Sequence, residues 1–122
     1  MIVVLVALAG ALGAVVRFVV DSHVKSKLRT VFPWATVGIN VTGSLVLGFL
    51  AGLVLFDGGS GDVQAVIGTG FCGGYTTFST ASVETVRLVH SGRTALGLFH
   101  AVGTLVISVG ACATGVWASG LL

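Results

Sequence analysis

The stretch Gly68-Thr-Gly-Phe-Cys-Gly-Gly-Tyr-Thr-Thr-Phe-Ser-Thr80 decides how the fold of this chain is interpreted. It lies inside an apolar run over residues 63–89 and carries four glycines, which an ordinary lipid-facing helix does not need. The adjacent Gly73 and Gly74 favour unwinding at this point. Unwound backbone persists in a membrane only where protein or a water-filled path satisfies its polar groups. The stretch therefore predicts a membrane helix that is broken near its middle.

Two kinds of ion chemistry are open to such a segment. Carbonyl oxygens that leave the helical pattern can hold a small cation. The hydroxyls of Thr76, Thr77, Ser79 and Thr80 can donate hydrogen bonds to an anion, but they can also bond back to their own helix. The residues alone favour a pore lining, and they leave the sign of the permeant ion open.

Composition limits the class of protein. Of the 122 residues, 55% are hydrophobic and only 8% are charged, so the chain has too little polar surface to enclose a core in water. A net charge of +2 is too small for a nucleic-acid-binding surface, so no nucleic acid is expected as a partner. No catalytic triad, phosphate-binding loop or cluster of metal ligands is present, so we do not predict an enzyme. Lipid is the expected surrounding medium.

Four apolar runs follow one another along the chain. They predict an all-α membrane protein with four transmembrane helices at approximately residues 2–20, 34–56, 63–89 and 94–121, which form a single transmembrane domain over residues 1–122. Residues 21–33 are expected at the headgroup surface, and residues 57–62 form a short aqueous turn. The expected location is the cell membrane, with several crossings.

The basic residues predict the orientation. All six flank the first or third connection, namely Arg17, Lys25, Lys27, Arg29, Arg87 and Arg93. Cytoplasmic loops of membrane proteins carry an excess of Lys and Arg, so these two connections are predicted to be cytoplasmic. Both termini and the 57–62 turn are then outside the cell.

Three polar residues within or near the spans need an explanation. The amide of Asn40 is costly in hydrocarbon unless it bonds to another helix or to a permeant ion, and both roles are open. Glu84 is near the end of the third span, so no carboxylate lies deep in the membrane as a proton-coupled exporter requires. His100 stands alone in the fourth span and is expected to pack in the protein rather than bind metal.

Three segments carry a resemblance to a known family. They are Gly-Phe-Cys-Gly-Gly-Tyr-Thr-Thr-Phe-Ser-Thr at 70–80, Asn-Val-Thr-Gly-Ser at 40–44 and Gly-Ala-Val-Val-Arg at 13–17. Together with the length and four-span layout, they resemble the Fluc, or CrcB, family of fluoride channels over essentially the whole chain. The resemblance implies an antiparallel, inverted dimer with two narrow fluoride pathways at the interface and a structural sodium ion at its centre. Its implied function is passive fluoride export, which lowers cytoplasmic fluoride.

The resemblance also implies roles for individual positions. Asn40 and Phe78 match pore residues, Ser79 and Thr80 continue the pore motif, and Ser108 resembles a polar pore position in the fourth span. Gly73 and Thr76 match the residues whose backbone carbonyls hold the sodium ion. Arg17 resembles an arginine at the membrane edge, which either lines the pore entrance or anchors the helix at the interface. An aromatic ring edge and an amide can both replace water around fluoride, because each presents positive charge.

One position departs from the family pattern. Ala81 stands where the family has a second pore phenylalanine, so a pair of identical chains lacks that ring in both pathways. The one-sided distribution of basic residues independently predicts a single orientation. We therefore expect an oppositely inserted homologous subunit as the partner. The alternatives are a small multidrug-type exporter, or a non-conducting partner subunit of a heteromeric channel.

Overall fold

The computed structural model describes residues 1–122, which form helices and no strand. The helices in chain order are α1 (Ile2–Lys27), α2 (Trp34–Asp57), α3 (Gly61–Val63), a π-helical segment (Gln64–Cys72), α4 (Gly73–Tyr75), α5 (Ser79–His90) and α6 (Thr94–Ser119). Three of them, α1, α2 and α6, are long and apolar enough to cross a bilayer. The predicted all-α class is confirmed.

The first helix extends further than predicted. The sequence placed its end at Val20, but α1 continues to Lys27. The Lys25 ammonium lies 3.0 Å from the Asp21 carboxylate one turn earlier, and such pairs support a helix. No proline follows before Pro33. Residues 21–27, which were expected in a surface segment, are therefore helical.

The third apolar run is not one continuous helix. Helices α3 and α4 and the π-helical segment between them are contiguous over residues 61–75, and we call them the first half-span. Residues 76–78, which we call the break, are not helical, and α5 follows directly. Neither the first half-span nor α5 is as long as the three helices that could cross a bilayer.

Close backbone contacts hold the bundle together at glycines. A Cβ atom at Gly48 of α2 would collide with the carbonyl of Cys112 in α6, and one at Gly115 of α6 would collide with the backbone of Leu45 and Phe49. Glycine at such positions allows two helices to approach closely. Gly38 of the same helix differs from Gly48, because an added Cβ at Gly38 meets nothing within 4 Å.

This difference gives a matched pair of variants in one helix. We expect Gly48→Ala to lower the stability of the purified protein by about 1–3 kcal/mol, the usual cost of overpacking a tight contact. Gly38→Ala should leave stability unchanged or raise it slightly, because the new methyl group meets open space. Thermal unfolding in one detergent measures both. Equal effects of the two substitutions would contradict the packing described for α2 and α6.

The basic residues collect at one end of the bundle. The Lys25 ammonium near the end of α1 lies 3.8 Å from the carboxylate of Glu84 in α5. The C-terminal ends of these two helices therefore lie side by side. Arg29 follows α1, Arg87 lies in the last turn of α5, and Arg93 precedes α6. We call this the basic end.

Candidate functional site

The break lies three residues further along the chain than the sequence suggested. Unwinding was predicted at the Gly73–Gly74 pair, and that position is wrong because both residues are helical. The backbone becomes extended at Thr76, with φ −74° and ψ 159°. A Cβ on Gly74 would collide with the carbonyl of Gly10 in α1, so this glycine is needed for close packing rather than for unwinding.

Asn40 holds the break with two hydrogen bonds. Its Nδ2 donates to the carbonyl oxygen of Thr77 over 2.9 Å, and its Oδ1 accepts from the backbone N–H of Thr77 over 2.8 Å. The side chain is 9% exposed, so water cannot easily replace these bonds. Nδ2 carries two hydrogens and only one is used here, so Asn40 can still donate to a ligand.

The two sides of the break offer opposite polarity. No hydrogen bond outside the helices ends on the carbonyl of Gly73 or Thr76, and the natural helical donor to Gly73, the N–H of Thr77, is taken by Asn40. These oxygens are free acceptors for a cation. On the other side, α5 begins at Ser79, and the Thr77 hydroxyl accepts from the N–H of Thr80 over 3.1 Å. The start of a helix carries partial positive charge, which favours an anion.

A cavity of about 330 Å³ opens between α2, the break, α5 and α6. It brings together three of the predicted pore residues, Asn40, Phe78 and Ser108. All the other lining residues except Leu105 carry a hydroxyl group or are small, namely Ser44, Thr76, Thr77, Ala81, Ser82, Thr85, Ala101 and Thr104. No charged side chain is among them. We call this space the amide cavity.

Ser108 and Thr104 form the α6 wall of the amide cavity. The Ser108 hydroxyl is buried and has no hydrogen-bond partner within the chain. The Thr104 hydroxyl lies 3.3 Å from Nδ1 of His100, one turn earlier on the same face. A buried hydroxyl without a partner is unfavourable. Ser108 therefore lines the cavity with a hydroxyl whose hydrogen has no acceptor within the chain.

Phe78 marks the open side of the amide cavity. It lines the cavity, yet its side chain is 88% exposed in the single chain. Ala81, one turn later in α5, lines the same cavity with only a methyl group. A large exposed ring at a polar opening points to a surface that another molecule covers. One chain therefore encloses the cavity only in part.

Ser79 and Thr80 do not line the amide cavity. Both face a groove of about 240 Å³ near Glu84 and Arg87 at the basic end. Thr80 also borders a small cavity beside Arg17. The structure thus separates these two predicted pore residues from Asn40, Phe78 and Ser108.

Arg17 is tied to the first half-span. Its Nε donates to the carbonyl oxygen of Gly74 over 3.2 Å, and the contact is partly buried. This bond satisfies a carbonyl at the end of α4, where the helix can no longer do so. The contact ties α1 to the end of α4, and Arg17 also lines a small cavity beside Thr77 and Thr80. Both roles that the sequence left open for Arg17, pore entrance and interfacial anchor, stay predictions.

Glu84 and His100 meet at the basic end. The His100 side chain is completely buried, and its Nε2 lies 3.8 Å from the Glu84 carboxylate, whose side chain is 12% exposed. The ring of Phe32 packs edge-on against the imidazole, with centroids 5.4 Å apart. His100 is therefore packed within the protein, as expected, but it is not isolated. No group of three or more His, Cys, Asp or Glu side chains forms a metal site.

Thr104 and Ser44 line the amide cavity but were not predicted from the sequence, although a signal for each was present. Thr104 and Ser108 are four residues apart, and His100 precedes Thr104 by the same interval, so all three share one helical face. A polar stripe in an apolar helix indicates a face turned away from lipid. Ser44 belongs to the Asn-Val-Thr-Gly-Ser segment and lies one turn after Asn40. Helical spacing from Asn40 would have identified it.

Comparison with known proteins identifies a family and several relatives that this chain resembles. Residues 4–116 match the family model described as CrcB-like protein, Camphor Resistance (CrcB). The chain is 46% identical over 121 residues to fluoride-specific ion channel FluC 1 of Leifsonia xyli, with 99% of this chain and 88% of that protein covered. It is 45% identical to fluoride-specific ion channel FluC 2 of Cutibacterium acnes, with 91% of each covered. It is 42% identical to FluC 1 of Streptomyces avermitilis over 93% of this chain.

Proposed function

Because this multi-pass membrane protein belongs to the CrcB family, we propose that it is a fluoride channel subunit rather than an enzyme. Relatives that share 42–46% of its residues are named fluoride-specific ion channels. The observation that carries the proposal is the amide cavity, an uncharged space lined by hydrogen-bond donors next to the start of α5. Residues 1–122 would act as one transmembrane domain in the cell membrane. The channel would let fluoride leave passively and so lower its cytoplasmic concentration.

The donors of the amide cavity suit a small anion. Fluoride gives up water only where other donors replace it, and the second Nδ2 hydrogen of Asn40 and the free Ser108 hydroxyl can do so. The electropositive ring edge of Phe78 adds a weaker attraction. Because no cationic side chain lines the cavity, the anion is not trapped there. Binding that is favourable but weak permits conduction.

A structural sodium ion would occupy the other side of the break. The carbonyl oxygens of Gly73 and Thr76 are hard ligands that no hydrogen bond outside the helices engages. When bound, the ion would supply a fixed positive charge that neutralises these carbonyls inside the membrane. Gly73 is exposed on the surface of the single chain. Carbonyls of a second subunit could therefore complete the coordination.

The proposed assembly is an antiparallel dimer with a homologous subunit of opposite orientation. The exposed Phe78 ring at the mouth of the amide cavity supports a partner that closes this side. The basic end supports one fixed orientation, with Lys25 and Arg93 on the cytoplasmic side. The partner would then insert the other way up. Its own phenylalanines would supply the ring that Ala81 lacks.

The alternative of a non-conducting subunit is supported by the residue at position 81. Ala81 lines the amide cavity with a methyl group in place of an aromatic ring, so fewer groups can contact the ion. This chain can therefore be a subunit that orients its partner without conducting. A proton-coupled multidrug exporter is disfavoured, since the amide cavity has no carboxylate among its lining residues. Fluoride flux distinguishes these functions.

Efflux from liposomes tests the proposal. We expect vesicles that contain the chain and a homologous subunit to release fluoride and to retain chloride. Ser108→Ala should slow fluoride release by about tenfold, because a lost hydrogen bond to a charged group costs roughly 1.5 kcal/mol. Thr114→Val is the matched control in α6, since the Thr114 hydroxyl bonds to its own helix at Gly110. Chloride release at the same rate, or equal effects of the two substitutions, would overturn the proposal.

A further inference from the structure

A second cavity lies at the basic end, away from the amide cavity. Its volume is about 460 Å³, and it is bounded by the end of α1, the connection to α2 and the last turns of α5. Three cationic side chains, Lys25, Arg29 and Arg87, line it together with one carboxylate, Glu84. Its position, where α1 ends and α2 begins, corresponds to the headgroup level of a bilayer. We call it the basic cavity.

The charges in the basic cavity are not balanced. Lys25 forms ion pairs with Asp21 at 3.0 Å and with Glu84 at 3.8 Å, so the carboxylate is already engaged. Neither Arg29 nor Arg87 forms an ion pair with any acidic group of the chain. Two guanidinium groups therefore line one cavity without an anionic partner. One guanidinium group can donate two parallel hydrogen bonds to two oxygens of the same phosphate, a geometry that lysine cannot reproduce.

The rim of the basic cavity is apolar. Leu28, Val31 and Trp34 line it, and each is about half exposed to the surroundings. The Phe32 ring packs against the Trp34 ring, with centroids 4.6 Å apart, which supports this wall of the cavity. Tryptophan is enriched at the level where acyl chains meet headgroups. A ligand that fits this site has an anionic head and an apolar tail.

We propose that the basic cavity binds the phosphodiester headgroup of an anionic phospholipid. Arg29 and Arg87 contact the phosphate, while Leu28, Val31 and Trp34 contact the first methylenes of the acyl chains. Basic cavities at the cytoplasmic ends of transmembrane helices bind anionic headgroups in this way. A soluble phosphate ester would leave the exposed apolar rim uncovered, and for this reason the lipid is the better match.

Native mass spectrometry of the purified full-length chain tests the site. The probes are phosphatidylglycerol and phosphatidylcholine with identical acyl chains, added to protein in detergent. The wild-type chain should retain phosphatidylglycerol preferentially. The affinity of the double variant R29Q/R87Q for phosphatidylglycerol should be roughly thirtyfold lower. Each basic residue near the headgroup contributes about 1 kcal/mol to binding, and two are removed. The variant R29K/R87K keeps both positive charges. Its affinity for phosphatidylglycerol should fall by less than that of R29Q/R87Q, because only the planar, two-pronged hydrogen-bonding geometry of the guanidinium groups is removed.

The matched control is K27Q/R93Q, which removes the same charge from the same end but outside the basic cavity. It should keep the wild-type preference. Equal losses in the two glutamine variants would show that charge alone attracts the lipid and would overturn the site. Equal binding of phosphatidylcholine would also overturn it. Displacement of phosphatidylglycerol by millimolar glycerol 3-phosphate would show a soluble-phosphate site and reject the lipid.

Discussion

Replacing Asn40 by aspartate is expected to reduce fluoride efflux by about a thousandfold. A carboxylate at this position would face the anion across the amide cavity. Two like charges about 4 Å apart repel by about 4 kcal/mol at the effective dielectric constant of a protein, and each 1.36 kcal/mol is a factor of ten in rate. Efflux from liposomes, with the chain and its homologous subunit present, measures this effect.

A companion substitution separates conduction from folding. Asn40→Ala leaves both the N–H and the carbonyl of Thr77 without their partner, and each unsatisfied buried group costs about 1–3 kcal/mol of stability. Asn40→Asp keeps an acceptor for the Thr77 N–H, but its second oxygen meets the Thr77 carbonyl and cannot donate to it, so this variant should also unfold at a lower temperature than the wild-type chain. Thr42→Val, two residues away in α2 and outside the amide cavity, should conduct normally. Wild-type conduction by Asn40→Asp would show that Asn40 only braces the break.

The chain reconstituted alone is expected to release fluoride at least about tenfold more slowly than the chain with an oppositely inserted homologue. The physical reason is the ring missing at residue 81, since the electropositive edge of an aromatic ring attracts an anion by up to about 1.5 kcal/mol, or roughly tenfold. Ala81→Phe should recover most of this loss in the chain alone. Purification in detergent removes the bias of membrane insertion, so two inverted copies can meet in the vesicle preparation.

Thr85→Phe is the control for the Ala81 experiment. Thr85 lines the amide cavity one turn further along α5, so the substitution adds the same ring at the wrong level. It should not restore efflux. If the wild-type chain alone conducts as fast as the mixture, Ala81 is tolerated and the argument for a heteromeric partner fails.

The sequence predicted the positions of the helical spans well, because each prediction rests on the average hydrophobicity of about twenty residues. Lipid selects runs of about twenty apolar residues, and α2 and α6 end within two residues of their predicted limits. The end of α1 was misplaced because the apolar run stops before Asp21 and the polar residues that follow indicate the end of a membrane span. The helix itself continues, since the Asp21–Lys25 pair and the absence of a breaker favour it.

The interior of the site could be predicted only in part. Glycine pairs indicate either unwinding or close packing, and Gly74 is used for packing because the backbone of α1 lies directly against it. The partner of Asn40 is a backbone unit in the other half of the site, a long-range contact that no local pattern encodes. For the same reason, the sequence could not assign Arg17 to the Gly74 carbonyl. Polar spacing identified candidate residues but not which of them meet.

The paired bonds between Asn40 and Thr77 copy the pattern by which two peptide groups join in a β-ladder, with one donor and one acceptor on each side. A flexible interruption would have to be ordered by each arriving ion, and the lost conformational entropy would appear as a barrier. Here the dipoles are already oriented before an ion arrives. Such preorganisation spares the site any reorganisation energy when an ion comes or goes, so rapid passage does not require tight binding.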